Sequence, residues 1–211
     1  ELMDAPNRIL EHHPLNEKLR AEGKMPANGV WFWAEGTAVK LPDFKQETGH
    51  DGVVVSAVPL CHGIAALTGL SFVCPEGATG EKDTNYENKL AAALKILEDH
   101  DFAAVHVEAP DECTHNGDLE GKLEAIGWLD TRLIRPLDAA MRERGWDYRL
   151  LFLSDHKTLT STRGHDGDPV PYMLYDSRVD TKAGLPYTEK SGEKGAYVNS
   201  GVSLMSILFE K

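Results

Sequence analysis

Short apolar runs of strand length recur along this chain, most of them separated by stretches with helical spacing, and that alternation limits its fold more than any other feature. VVVSAV (53–58), SFVC (71–74), FAAVHVE (102–108), RLLFLS (149–154) and VPYMLYD (170–176) are rich in Val, Leu and aromatic residues. Turn formers bound them, as they bound strands. GVWFWA (29–34) reads the same way, with Trp31 and Trp33 in the core. Between Pro59 and Leu70 a small amphipathic helix ends at Gly69. Tyr86, Leu90, Leu94 and Leu97 then form one apolar helical stripe, capped by Thr84 or Asn85. Asp118 caps a long helix over 118–144, with Leu119, Leu123, Ile126, Leu133 and Leu137 facing inward and Pro136 kinking or breaking it. GVSLMSILF (201–209) suits a closing helix, 180–199 is a polar tail, and 1–27 reads as a connector. Strands alternating with helices predict an α/β fold: a largely parallel sheet flanked by helices.

Parallel sheets bind ligands beyond the carboxyl ends of their strands. Two of these strands end in metal-loving side chains. The first runs into Asp111 and His115, in HVEAPDECTH, and the second into Asp155 and His156. His165, in RGHDGDPVP, precedes a further strand. Asp and His one helical turn apart can face the same ion, whereas adjacent Asp-His points more naturally at two neighbouring ions. The count suggests a two-metal site with ions ~3.5–4 Å apart. Mixed carboxylate and imidazole donors favour Mn, Zn, Fe or Co over Ca. Each pair taken alone reads equally well as loop or capping chemistry. His106, in mid-strand, reads as a core histidine, His12 and His13 as surface residues, and Cys113 as a bystander. The GATG turn at 77–80 either supplies N–H groups to an anion or is a plain turn.

A chain of 211 residues can bury one sizeable core. Its formal net charge of -12, without any Lys/Arg-rich run, argues against nucleic acid and anionic membranes as partners. An anionic substrate would then need bound cations to attract it. Three scattered cysteines fit reduced thiols in a cytoplasmic protein. No stretch approaches the ~20 apolar residues of a membrane span. The opening ELMDAPNRIL lacks an initiator Met and reads as the interior of a longer protein.

Taken together, EHHPLN, GKMPANGVWFWAEG, GATGEKDTNYENK, HVEAPDECTH, LFLSDH and GHDGDPVPYMLY resemble the archaeal type of cofactor-independent phosphoglycerate mutase, in the alkaline phosphatase superfamily. The likeness covers nearly the whole chain apart from its polar tail. It implies an alkaline phosphatase-like core, with 28–211 as the carboxyl-terminal part of the metalloenzyme domain and 1–27 returning from a missing region. It implies one metal held by Asp111, His115 and His165. A second would take Asp155 and His156 together with an Asp and the nucleophilic Ser, both outside this segment. Interconversion of 3-phosphoglycerate and 2-phosphoglycerate through a phosphoserine would follow, with Mn or a similar ion and without bisphosphoglycerate. No nucleophile motif occurs within the segment, so it is expected to be inactive alone. Lys24, Asn28 and Arg163 are candidate substrate contacts. A homoserine kinase-like phosphotransferase and a metal-dependent phosphate or sulfate ester hydrolase are the alternatives.

Overall fold

The computed structural model describes residues 4–32, 35–179 and 184–209. They fall into two compact units, Glu1–Lys40 and Leu41–Lys211. The first unit holds two short helices, α1 (Asp4–Glu11) and α2 (Pro14–Ala21). Asn16 is its one buried polar side chain among the described residues. Its amide donates to the carbonyls of Leu10 and Ala27, both at 2.7 Å, and ties the chain back on itself. The strand expected over GVWFWA is absent at 29–32, and Trp31 and Phe32 are exposed, not core. Trp33 and Ala34 lie outside the described residues. Aromatic content favours a strand only where another strand pairs with it, and these residues have none.

The second unit starts with α3 (Phe44–Thr48), β1 (Gly52–Val55), α4 (Pro59–Leu67) and β2 (Ser71–Val73). It continues through α5 (Tyr86–Ile96), β3 (Phe102–Val105) and α6 (Ala109–His115). The strands β2, β1 and β3 form a parallel sheet in that order. β1 lies in the middle and all four of its residues are buried, as expected of a parallel strand covered on both faces. Gly52 opens it because nothing larger fits: a Cβ there would sit 2.6 Å from the Phe102 carbonyl oxygen of β3. Asn85 caps α5 by accepting from the Asn88 N–H at 2.8 Å, and Leu94 of this helix packs with Leu137 and Met141.

The long helix expected over 118–144 is three pieces: α7 (Leu119–Trp128), a π-helical turn (Leu129–Ile134) and α8 (Arg135–Glu143). Pro136 sits in the first turn of α8, where its missing N–H does least harm. The preceding turn widens instead of breaking. Leu133 and Leu137 are buried as expected, but Leu119, Leu123 and Ile126 face solvent. On α7 the buried residues are Gly121 and Ala125, whose small size lets the helix pack closely.

Next come β4 (Arg149–Leu153), β5 (Lys157–Leu159), β6 (Gly164–Asp166) and β7 (Tyr172–Asp176). β4 pairs antiparallel with β7, and β5 with β6 as a hairpin, so the second half of the unit departs from the parallel pattern. A short helix, α9 (Glu189–Gly192), and then α10 (Ser203–Phe209) end the described chain. Phe209 of α10 sits edge-on to Phe44 and Phe102. Arg149 of β4 donates to the Leu208 carbonyl at 3.0 Å. The architecture is mixed α/β, a parallel sheet with flanking helices.

Candidate metal centre

Immediately after β3 the chain turns into α6, with Pro110 in its first turn. Asp111 and His115 are one turn apart and therefore project from the same side. The Nε2 of His115 lies 3.2 Å from Oδ2 of Asp111. The β5–β6 hairpin brings the third group, since its register sets His165 opposite Thr158. His165 Nε2 stands 3.4 Å from Oδ1 of Asp111 and 3.1 Å from Nε2 of His115. One donor atom from each of the three residues thus lies within 4.8 Å of the other two.

The hydrogen bonds around these donors set their orientation. Nδ1 of His115 is 2.7 Å from the Arg163 carbonyl oxygen, which can only accept. The ring proton of neutral His115 is therefore assigned to Nδ1, leaving a lone pair on Nε2 aimed at Asp111 and His165. Thr158 donates its hydroxyl proton to Oδ1 of Asp111. A carboxylate and imidazole lone pairs crowded together repel unless an electrophile sits among them. One oxygen and two nitrogen donors, with outer hydrogen bonds on Asp111 and His115, fit a divalent cation of the Mn, Zn, Fe or Co type.

Asp155 and His156 follow β4 and lie next to the β5–β6 hairpin. The His156 ring lies against that of His165, centroids 3.8 Å apart, and its Nε2 is 3.4 Å from Oδ2 of Asp155. The Asp155 side chain is 81% exposed. These two residues form a carboxylate–imidazole pair beside the three-donor group, and they do not belong to it.

Three neighbours escaped the reading of the sequence. Glu108 and Glu112 join Asp111 in a second, all-carboxylate group. Burial pushes the Glu108 carboxyl up, and repulsion from Glu112 and Asp111 adds to it. Their spacing around Asp111, within HVEAPDE, was the available signal. Thr158 is the third, and a lone Thr in a three-residue strand gives none.

Other residues are otherwise engaged. His106 is half-buried, with Nδ1 3.2 Å from the Ser56 hydroxyl, and burial lowers its pKa. Burial raises that of the Cys113 thiol, which keeps it protonated and unlike a ligand. In the GATG turn, Ala78 N–H donates to Pro75 and Thr79 N–H to the Thr84 hydroxyl. Gly80 is packed against the Glu108 carboxylate. That is a plain turn, tied to the end of β3 by buried Lys89, which donates to the carbonyls of Thr79 at 3.4 Å and His106 at 3.0 Å. Lys24 pairs with Glu22 at 2.7 Å, and Asn28 is exposed. Both belong to the Glu1–Lys40 unit, whereas Asp111, His115 and His165 belong to the Leu41–Lys211 unit. Arg163 lies on the β5–β6 turn, with its guanidinium over Gly117.

Residues 8–211 match the family described as the metalloenzyme superfamily. A probable 2,3-bisphosphoglycerate-independent phosphoglycerate mutase of Geobacter sulfurreducens is 41% identical over all of this chain and 53% of its own length. The enzyme of that name from Methanosarcina acetivorans is 39% identical over 92% of this chain and 49% of its own. The chain spans about half the length of the curated relatives it matches. Among solved structures, the PH0037 protein of Pyrococcus horikoshii aligns with 99% of this chain and 56% of its own, at a TM-score of 0.75 and 29% identity. A cofactor-independent phosphoglycerate mutase of Thermoplasma acidophilum aligns with 97% of this chain and 48% of its own, at a TM-score of 0.57 and 21% identity. At that identity the likeness speaks for the fold alone.

Proposed function

The chain belongs to the metalloenzyme superfamily, and from that premise we propose that it supplies the metal-holding part of a 2,3-bisphosphoglycerate-independent phosphoglycerate mutase. The convergence of Asp111, His115 and His165, with the Arg163 carbonyl fixing one imidazole, is the observation that carries the reading. In this proposal those three side chains hold one divalent cation, with Mn foremost. Asp155 and His156 give half of the shell for a second. Bound cations would neutralise charge on a phosphoryl group in transfer and favour ionisation of an attacking hydroxyl.

The chain's own residues hold and orient. Thr158 fixes the Asp111 carboxylate, and Arg163 fixes the His115 ring. The His156 ring braces that of His165. The substrate is 3-phosphoglycerate or 2-phosphoglycerate, a small anion that the cations attract despite the acidic chain. The phosphoserine that carries the phosphoryl group is proposed to lie outside these 211 residues. The relatives' greater length supports that placement. No helix among the described residues is long and apolar enough to cross a membrane, and the three cysteines are free thiols. Both fit a cytoplasmic enzyme of glycolysis.

Calorimetric titration of the 211-residue chain with MnCl2 tests the centre. Binding that disappears in His115→Ala supports it, and a flat titration in the wild type overturns it. A coupled mutase assay tests the rest. The chain alone should not interconvert the phosphoglycerates even with Mn present, and measurable turnover would return the serine to this segment.

A further inference from the structure

Arg163 is the one non-glycine among the described residues with a positive φ, at 55°. A side chain in this left-handed region is strained, and it persists only where the surroundings impose it. Glycine would relieve the strain, and Gly164 sits immediately beside it, yet the arginine takes this conformation. Three contacts hold it there. Its N–H donates to the Leu159 carbonyl at 2.8 Å, closing the β5–β6 turn. Its own carbonyl accepts from Nδ1 of His115 at 2.7 Å. Its guanidinium lies over Gly117, where an added Cβ would come within 2.5 Å of Cζ and Nη2 and 2.8 Å of Nε. Gly117 itself has φ +73°.

The positions of these two residues in the chain matter. Gly117 follows His115 by two residues, and Arg163 precedes His165 by two. The contact between them therefore joins the two segments that bring the imidazoles together. If Arg163 relaxed to an ordinary conformation, its carbonyl would turn away from His115. That imidazole could then carry its proton on Nε2, where an N–H would point into the donor cluster and occupy the lone pair a cation needs.

We propose that Arg163 is a positioning residue for the metal centre: its left-handed backbone presents the carbonyl that fixes the tautomer and ring plane of His115, and Gly117 is the seat that holds it. This rests on the metal-centre reading above, and it goes further by naming what sets the geometry of the ligands.

The test uses the metal-free chain first. In 15N NMR of the histidine side chains, neutral His115 should show a protonated Nδ1 and a bare Nε2, its signal assigned by its loss in His115→Asn. Arg163→Val, which cannot rest in the left-handed region, should lose that signature. Its Mn2+ affinity should fall on the order of 10–100-fold, the usual effect of removing an outer partner. Arg163→Gly, which adopts the conformation freely, should keep the signature and bind Mn2+ more tightly than the valine variant does. A valine variant with wild-type signature and affinity overturns the proposal. So does a glycine variant as impaired as the valine one, since the guanidinium would then matter and the backbone would not. A wild type with the expected tautomer but no Mn2+ binding sinks the metal reading alone. A wild type that binds Mn2+ with mixed tautomers sinks this inference alone.

Discussion

The two ends of the parallel sheet use the same two residue types for different ends. At the amino ends, His50 and Asp51 precede β1 while His100 and Asp101 precede β3. They pair crosswise, His50 with Asp101 at 3.2 Å and His100 with Asp51 at 3.1 Å. Each imidazole there faces a single carboxylate through Nδ1, and Lys45 adds a cation at 3.5 Å from Asp51. Beyond the carboxyl end of β3, Asp111 meets two imidazoles, both through Nε2, and no lysine or arginine pairs with it among the described residues. A carboxylate and an imidazole nitrogen paired one to one are satisfied as they stand by a single hydrogen bond. A carboxylate facing two imidazole nitrogens, one with its proton committed elsewhere, leaves a place for a cation. What marks a candidate ligand set is thus the direction of the lone pairs, and the mere presence of His and Asp does not.

The largest effect that could break this comparison is loss of the cation site. Asp111→Ala should abolish Mn2+ binding in calorimetry, a drop well beyond the roughly 10–100-fold expected for an outer partner. Asp101→Ala, which disrupts the other end, should leave binding at wild-type strength. Equal losses in both would mean that the two ends do not differ in kind. Next in size is Leu94→Ala, which hollows the cluster with Leu137 and Met141. It should cost about 2–5 kcal/mol in urea unfolding. Mn2+ affinity measured below the transition should not change, which separates stability of the unit from ordering of the rim. Thr158→Val keeps the shape but removes the hydroxyl that donates to Asp111. Mn2+ affinity should fall on the order of tenfold with little change in the unfolding midpoint, and an unchanged affinity would make that hydrogen bond incidental.

How far the sequence foretold all this depends on the range of the signal. Asp111 and His115 share a face because helical spacing is local, and the α/β class follows from alternating runs that any reader can count. His165 reaches them through a hairpin of three-residue strands, too short to show the period-two pattern by which strands are recognised. Its place beside them was legible only through likeness to known relatives. Leu119, Leu123 and Ile126 have the spacing of an inward stripe yet face solvent. Periodicity finds a face, but Gly121 and Ala125 decide which face can approach closely. GVWFWA has the composition of a strand at 29–34, but strand formation depends on a partner that no local window contains. Strain at Arg163 was invisible for a similar reason, because two of the three contacts that impose it come from His115 and Gly117, about 50 positions away.

The smallest expected effect concerns the amino-end pairs and their answer to pH. The Asp51 carboxyl is held below its usual value, chiefly by its hydrogen bond with His100 and further by Lys45, against a smaller opposing effect of desolvation. A carboxylate whose pKa is lower folded than unfolded adds stability above its unfolded pKa, and loses it as pH falls through the folded one. Asp51→Asn should therefore unfold slightly more easily than wild type at pH 6, and the gap should close as the medium is taken below the ordinary aspartate range near 3.8. Urea midpoints of both proteins at pH 6 and pH 3 measure it. A gap that stays constant would assign the cost of the substitution to packing or to the neutral hydrogen bond. In either case Mn2+ affinity at pH 6 should match wild type, because the pairs at this end complete themselves and lend nothing to the other.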